Sequence, residues 1–172
     1  MRYYGIAFLI CVIDQVSKLA IVRNIPLHET RSVIGDFFLL TSHRNRGAAF
    51  SILQDQRWFF VSITIVVMIV LVWYIRHLLS IGKKQLPLAL AFVLGGAMGN
   101  FLDRLLQGEV VDFLQFNFRF TIFDQSIDYT FPIFNVADSF IVIGVILIII
   151  DSLIDWIKEK KGAAHVHQSE LE

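Results

Sequence analysis

The sequence predicts an α-helical integral membrane protein with four transmembrane helices, and three observations predict it. Four long apolar stretches run through a chain that is 56% hydrophobic and only 17% charged, whereas soluble domains carry about 25% charged residues. Charged residues bracket these stretches more than they interrupt them. Trp58, Trp73, Tyr74 and Trp156 fall near their ends, where amphipathic rings favour the membrane–water interface. The 172 residues suit one membrane-embedded domain spanning positions 1–172, completed by a small extracytoplasmic β-sheet and an outer loop or helix over the site.

A hydrocarbon core needs about 20 residues of helix, and each stretch meets that length. The first, about 3–22, is apolar apart from Asp14, Gln15, Ser17 and Lys18. Those charges, and the lack of a small-x-small cleavage site after it, mark a retained span instead of a secretory signal. The second, about 58–77, begins after Arg57 and reaches Arg76 without a charge. The third, about 85–104, is uncharged from Gln85 to Leu102, between Lys84 and Asp103. The fourth, about 134–156, carries Asp138 near its start and Asp151 and Asp155 near its end. A cytoplasmic tail of about 157–172 follows, expected to lack structure after Lys161.

Arg2, the Arg76–Lys84 loop and Lys158–Lys161 concentrate positive charge in short flanks on one side. The positive-inside rule then places both termini in the cytoplasm. The connections 23–57 and 105–133 lie outside. Phe37 to Thr41 reads as a strand, followed by a turn-rich Arg44-Asn45-Arg46-Gly47. Gln115 to Ile122 alternates polar and apolar residues with period 2, which predicts a half-buried strand resting on protein or lipid.

Several function classes are excluded early. A net charge of zero supplies no basic field for nucleic acid. Cys11 is the single cysteine, so it forms no intrachain disulfide and reads as a buried thiol. No His-Glu-x-x-His or Gly-x-Ser-x-Gly motif occurs, and the five histidines are scattered, which leaves no metal or cofactor implied.

Most of the unusual polar residues converge instead. Alternating spans bring the end of the first, start of the second, end of the third and start of the fourth to one side. Asp14, Lys18, Asn45, Asn100, Asp103, Arg104, Asp112, Asn135 and Asp138 all fall there. Asn100, Asp103 and Arg104 share a helix face, as do Asn135 and Asp138, and Asp14 with Lys18 forms an i, i+4 pair that neutralises itself. A charge at mid-membrane otherwise costs about 2.5–3.5 kcal/mol, so such residues face a bundle interior or watery cavity and mark function. Two neighbouring carboxylates share one proton over a useful pH range. The ionised member then takes a proton from water while its protonated partner polarises a carbonyl. From the residues alone Asp103 and Asp112 compete to be the partner of Asp138. Gly95, Gly96 and Gly99 point to close helix packing.

Five stretches carry a family resemblance: Asp14-Gln15-Val16-Ser17-Lys18, Asn45-Arg46-Gly47-Ala48-Ala49-Phe50, Gly99-Asn100-Phe101-Leu102-Asp103-Arg104, Val110-Val111-Asp112-Phe113 and Phe134-Asn135-Val136-Ala137-Asp138-Ser139. In order and content they resemble the boxes of the lipoprotein signal peptidase (signal peptidase II) family. The resemblance implies an aspartyl endopeptidase of the bacterial plasma membrane that cleaves prolipoproteins before the diacylglyceryl-modified cysteine. It implies Asp112 and Asp138 as the catalytic dyad and Asn45, Asn100, Arg104 and Asn135 as site-lining residues. Asp14, Lys18 and Asp103 are then structural, and the protein is a monomer among membrane lipid. The connection from Asp112 to Asp138 is longer than usual for the family and carries the extra acids Asp124 and Asp128.

Two other readings use the same residues. A proton-coupled transporter would distribute its acids across the bilayer and show inverted repeats, and neither feature is visible. A non-catalytic assembly factor would tolerate Asp→Asn at positions 112 and 138.

Overall fold

The computed structural model describes residues 1–47, 54–123 and 125–169, with side chains to Lys161. Helix α1 spans Arg2–Asn24, α2 Arg57–Ser80, α3 Gln85–Leu106 and α4 Val136–Ser169. All four are long and apolar enough to cross a membrane, the last over Val136–Lys161. Their exposed faces carry Val66, Ile69, Trp73, Val142 and Ile149, while Asp14, Asp103 and Asn135 are buried. That inversion of the soluble pattern is what a lipid solvent requires.

The helix ends follow from local chemistry. Pro26 forces Ile25 into extended backbone (φ −125°, ψ 113°), which stops α1. Beyond α2, Gly82 takes φ +77°; its N–H bonds Leu79 O at 3.2 Å and the Lys83 N–H bonds Leu78 O at 3.0 Å, a left-handed helix cap. Pro87 sits in the first turn of α3, where a missing N–H costs nothing. Asn135 and Asp138 cap α4 reciprocally. The Asp138 N–H donates to Asn135 Oδ1 at 2.9 Å, and the Asn135 N–H donates to Asp138 Oδ2 at 3.2 Å.

Helix α3 is central, packing against α1, α2 and α4. Its glycines permit this, as their spacing predicts. A Cβ on Gly95 would stand 2.7 Å from Ala7 O of α1; one on Gly96 would meet Ala137 O of α4; one on Gly99 would meet the Asp14 carboxylate.

The sheet has four antiparallel strands in the order β1 (Thr30–Ile34), β2 (Phe38–Asn45), β3 (Val110–Ile122) and β4 (Gln125–Thr130). The first two come from the connection after α1, the others from the connection after α3. In the β3–β4 ribbon Phe118 faces Tyr129 and Phe120 faces Ile127, while Arg119 faces Asp128 and Thr121 faces Ser126. One side is therefore apolar and the other polar.

The structure departs from the sequence expectations at several points. The expected turn at Arg44–Gly47 is in part strand, because β2 continues through Asn45 opposite Val110. Strand β3 begins at Val110, five residues before the alternation, because Val110 to Phe113 is buried throughout and shows no polar face. Strands β1 and β4 were not anticipated. The fourth span starts at Val136, not 134, since Phe134 bridges to Leu114 and Asn135 is the cap. The tail expected to be unstructured after Lys161 continues α4 to Ser169, through good helix formers such as Ala163 and Ala164. Ala48, Ala49 and Phe50 of the second box, and Asp124, lie outside the described residues.

Candidate active site

Four elements, β2, β3, α3 and the start of α4, converge at the end of the bundle. The β2–β3 register puts His43 opposite Asp112 and Asn45 opposite Val110. Asn45 Oδ1 accepts the Gly47 N–H at 2.9 Å, which turns its Nδ2 toward Asp112 Oδ2, also at 2.9 Å. Asp112 Oδ1 accepts from Asn135 Nδ2 at 2.7 Å. Asp138 Oδ1 accepts from Asn100 Nδ2 at 2.7 Å. Asn135 Nδ2 also reaches Asn100 Oδ1 at 3.1 Å. The carboxyl groups of a strand residue and a helix residue thus share one asparagine network.

Asp112 is 3% exposed. Burial, then the nearby charge of Asp138, pushes its carboxyl up to about 7, against the opposing hydrogen bonds of Asn45 and Asn135 and the charge of Lys18. Such a group exchanges a proton near neutral pH, as an acid–base residue must.

Behind this network lies a buried ion cluster. Lys18 Nζ is 2.8 Å from Asp14 Oδ2, 2.8 Å from Asp103 Oδ2 and 2.9 Å from Asn100 Oδ1. Asp14 Oδ1 accepts the Ala137 N–H at 2.9 Å, tying α1 to the first turn of α4. Asp103 Oδ2 accepts the Val111 N–H at 3.3 Å, tying α3 to β3. Of the two carboxylates that compete in the sequence, Asp103 is turned into this cluster, whereas Asp112 lines the cleft.

The cleft has a volume of about 790 Å³. His43, Asn45, Asn100, Arg104, Asp112 and Asp138 supply its polar end. Its apolar wall comes from Tyr129 through Phe134 and from Ile141 and Val142 of α4. Concave, largely apolar pockets of this size with a few convergent polar groups are the usual form of a ligand site. Arg104 reaches Gly47 O at 3.2 Å, and its guanidinium lies 4.9 Å from the Phe60 ring centre, which steers it across the cleft. Among the described residues no cluster of His, Cys, Asp or Glu is arranged to hold a metal ion.

Of the nine polar residues singled out from the sequence, eight belong to these two adjoining clusters and the ninth, Arg104, lines the cleft beside them. Two contributors were missed. Gln15 donates to Asp103 Oδ1 at 2.8 Å and Gly99 O at 3.1 Å; a polar side chain beside Asp14 in an apolar span was its available signal. His43 lines the cleft, and burial, followed by the charges of His28 and Arg44, lowers its pKa. Its place depends on strand register, which no local pattern reveals.

Fold and site together define a polytopic membrane enzyme with its polar machinery at one end of a four-helix bundle. Residues 6–154 match the family model described as signal peptidase (SPase) II. A protein of Brevibacillus brevis named lipoprotein signal peptidase is 49% identical over 93% of this chain and 100% of its own length. One of Bacillus subtilis with the same name is 44% identical over 94% of this chain and 99% of its own. A solved bacterial membrane enzyme structure, obtained by the in meso method at 2.3 Å, is 41% identical with a TM-score of 0.76, over 90% of this chain and 88% of that one. The chain belongs to the signal peptidase II family.

Proposed function

We propose that this protein is a single-domain aspartyl endopeptidase that removes signal peptides from bacterial prolipoproteins, cutting before the diacylglyceryl-modified cysteine, with Asp112 and Asp138 as its dyad. The observation that carries the reading is the shared asparagine network: Asn135 binds Asp112 Oδ1 and caps Asp138, at the polar end of an otherwise apolar cleft.

Water lies between the carboxyls, and one proton is held by the pair. The ionised member takes a proton from water as its oxygen attacks the scissile carbonyl. The protonated member gives its proton to the developing oxyanion. Collapse of the resulting gem-diol breaks the C–N bond: the carboxyl that took the water proton gives it to the leaving amine, and a diol hydroxyl returns its proton to the other carboxylate, restoring the singly protonated pair. Arg104 and the asparagines hold substrate carbonyls and orient the aspartates. The apolar wall against Ile141 and Val142 suits a substrate that arrives from the bilayer with its acyl chains. The positive flanks put both termini in the cytoplasm of a bacterial cell and the cleft near the extracytoplasmic face. The protein acts as a monomer.

The test is a gel-shift cleavage assay on a diacylglyceryl-modified prolipoprotein in detergent or lipid. Wild type cleaves, and folded Asp112→Asn and Asp138→Asn do not. Loss confined to Asp103→Asn and Asp138→Asn would move the dyad to that pair. Absence of cleavage by folded wild type would end the peptidase reading.

A further inference from the structure

Lys18 is 3% exposed and far too costly to bury without a purpose. Its ammonium has three hydrogens and three oxygen partners. Asp14 and Asp103 already set two carboxylates against its single positive charge, yet the third bond goes to a neutral amide, Asn100 Oδ1, at 2.9 Å. An ammonium only donates. Asn100 must therefore turn its oxygen toward Lys18, and its NH₂ then has one place to go, Asp138 Oδ1 at 2.7 Å. An asparagine placed between groups of mixed character can flip. Here the lysine removes that freedom, and Asn135 Nδ2 at 3.1 Å on the same Asn100 oxygen reinforces the choice.

We infer that Lys18 is a positioning residue for the reaction: through Asn100 it fixes the donor that holds Asp138, beyond its part in the ion cluster. The inference rests on the reading of Asp112 and Asp138 as the dyad. The two fail differently, because that reading fails if Asp112→Asn or Asp138→Asn still cleaves, whatever Lys18 variants do.

Lys18→Met alone strands two buried carboxylates, so a second variant, Asp14→Asn with Lys18→Met, keeps the net charge of the cluster. Each is assayed on the diacylglyceryl-modified prolipoprotein with thermal melting alongside. The charge-balanced variant is expected to fold, to lose about 10–100-fold in kcat, as small misplacements of catalytic groups do, and to keep KM within about twofold. Adding Asn100→Ala costs little more, because both changes break one chain of contacts. The fall in kcat at nearly constant KM, and its overlap with the Asn100→Ala effect, are readouts that a merely structural lysine would not move; the pH profile is recorded beside them. The titratable and charged groups facing Asp112 are Asp138 of α4, Arg104 of α3, His43 of β2 and Lys18 of α1. Removing the lysine charge shifts the alkaline limb of kcat upward. Unchanged kcat in the folded variant would overturn the inference, whatever the pH profile does. Loss of the folded state in both Lys18 variants would overturn it equally, since the lysine would then serve the fold alone.

Discussion

Asn135 and Asp112 are joined at 2.7 Å through the asparagine's Nδ2, and the same side chain presents its Oδ1 to the Asp138 N–H at 2.9 Å. One residue thus ties a strand carboxyl to a helix start. Asn135→Ala should lose about 1 kcal/mol from the missing cap, and more from the buried groups it strands. Cleavage should fall about 100-fold as the carboxyls lose their common anchor. Thermal melting and steady-state kinetics on one preparation check both.

The raised Asp112 carboxyl, at about 7, dictates a pH dependence. Its folded value lies above the ordinary 3.8, so the folded state binds this proton more tightly than the unfolded state does. Its stabilising contribution is complete below about pH 4 and is lost as pH rises toward about 7. Asp112→Asn should flatten that slope and melt above the wild type at pH 8. The alkaline limb of wild-type activity should fall near pH 7. Asn45→Ala, which removes a hydrogen bond that lowers the value, should move that limb upward.

Much of this site was legible in the sequence. The spans followed from hydropathy, and the convergence of Asp14, Lys18, Asn100, Asp103 and Asp138 followed from alternating helices and i, i+3 or i, i+4 spacing. Asn135 read as sharing a helix face with Asp138; it is in fact the helix cap, and neither reading says that its amide also reaches Asp112. The strands were harder. Val110 to Phe113 is buried on both sides and lost its period-2 signal, so Asp112 read as following helix three instead of lying within β3. The pairing of His43 with Asp112 is a long-range choice of register, made by the fold as a whole.

The glycines allow a paired test. Gly99→Ala drives a Cβ into the Asp14 carboxylate and to 3.3 Å from the Ala137 Cβ. It should cost about 1–3 kcal/mol, the usual penalty of overpacking, and reduce activity by disturbing the Asp14 contact with α4. Gly5→Ala has no atom within 4 Å of the added carbon. It should gain about 0.5–1 kcal/mol of helix stability and leave cleavage unchanged. Equal melting shifts in the two variants would refute the account of α3 packing.

Two lysine–aspartate pairs of similar length should behave oppositely. Lys83 Nζ lies 2.7 Å from Asp155, and both side chains are nearly half exposed. Solvent screens that pair. Asp155→Ala should leave melting and cleavage at wild-type levels, whereas Asp14→Ala, which uncovers the buried Lys18, should unfold the bundle at lower temperature.

The division of the sheet between two connections has a consequence for biogenesis. Strands β1 and β2 are made between α1 and α2, but β3 is made only after α2 and α3. Asp138 arrives later still, with the first turn of α4. A chain still leaving the ribosome therefore holds its two carboxyls apart, one translated and the other not yet made. The two carboxyls can share their asparagine network only once the start of α4 has been made.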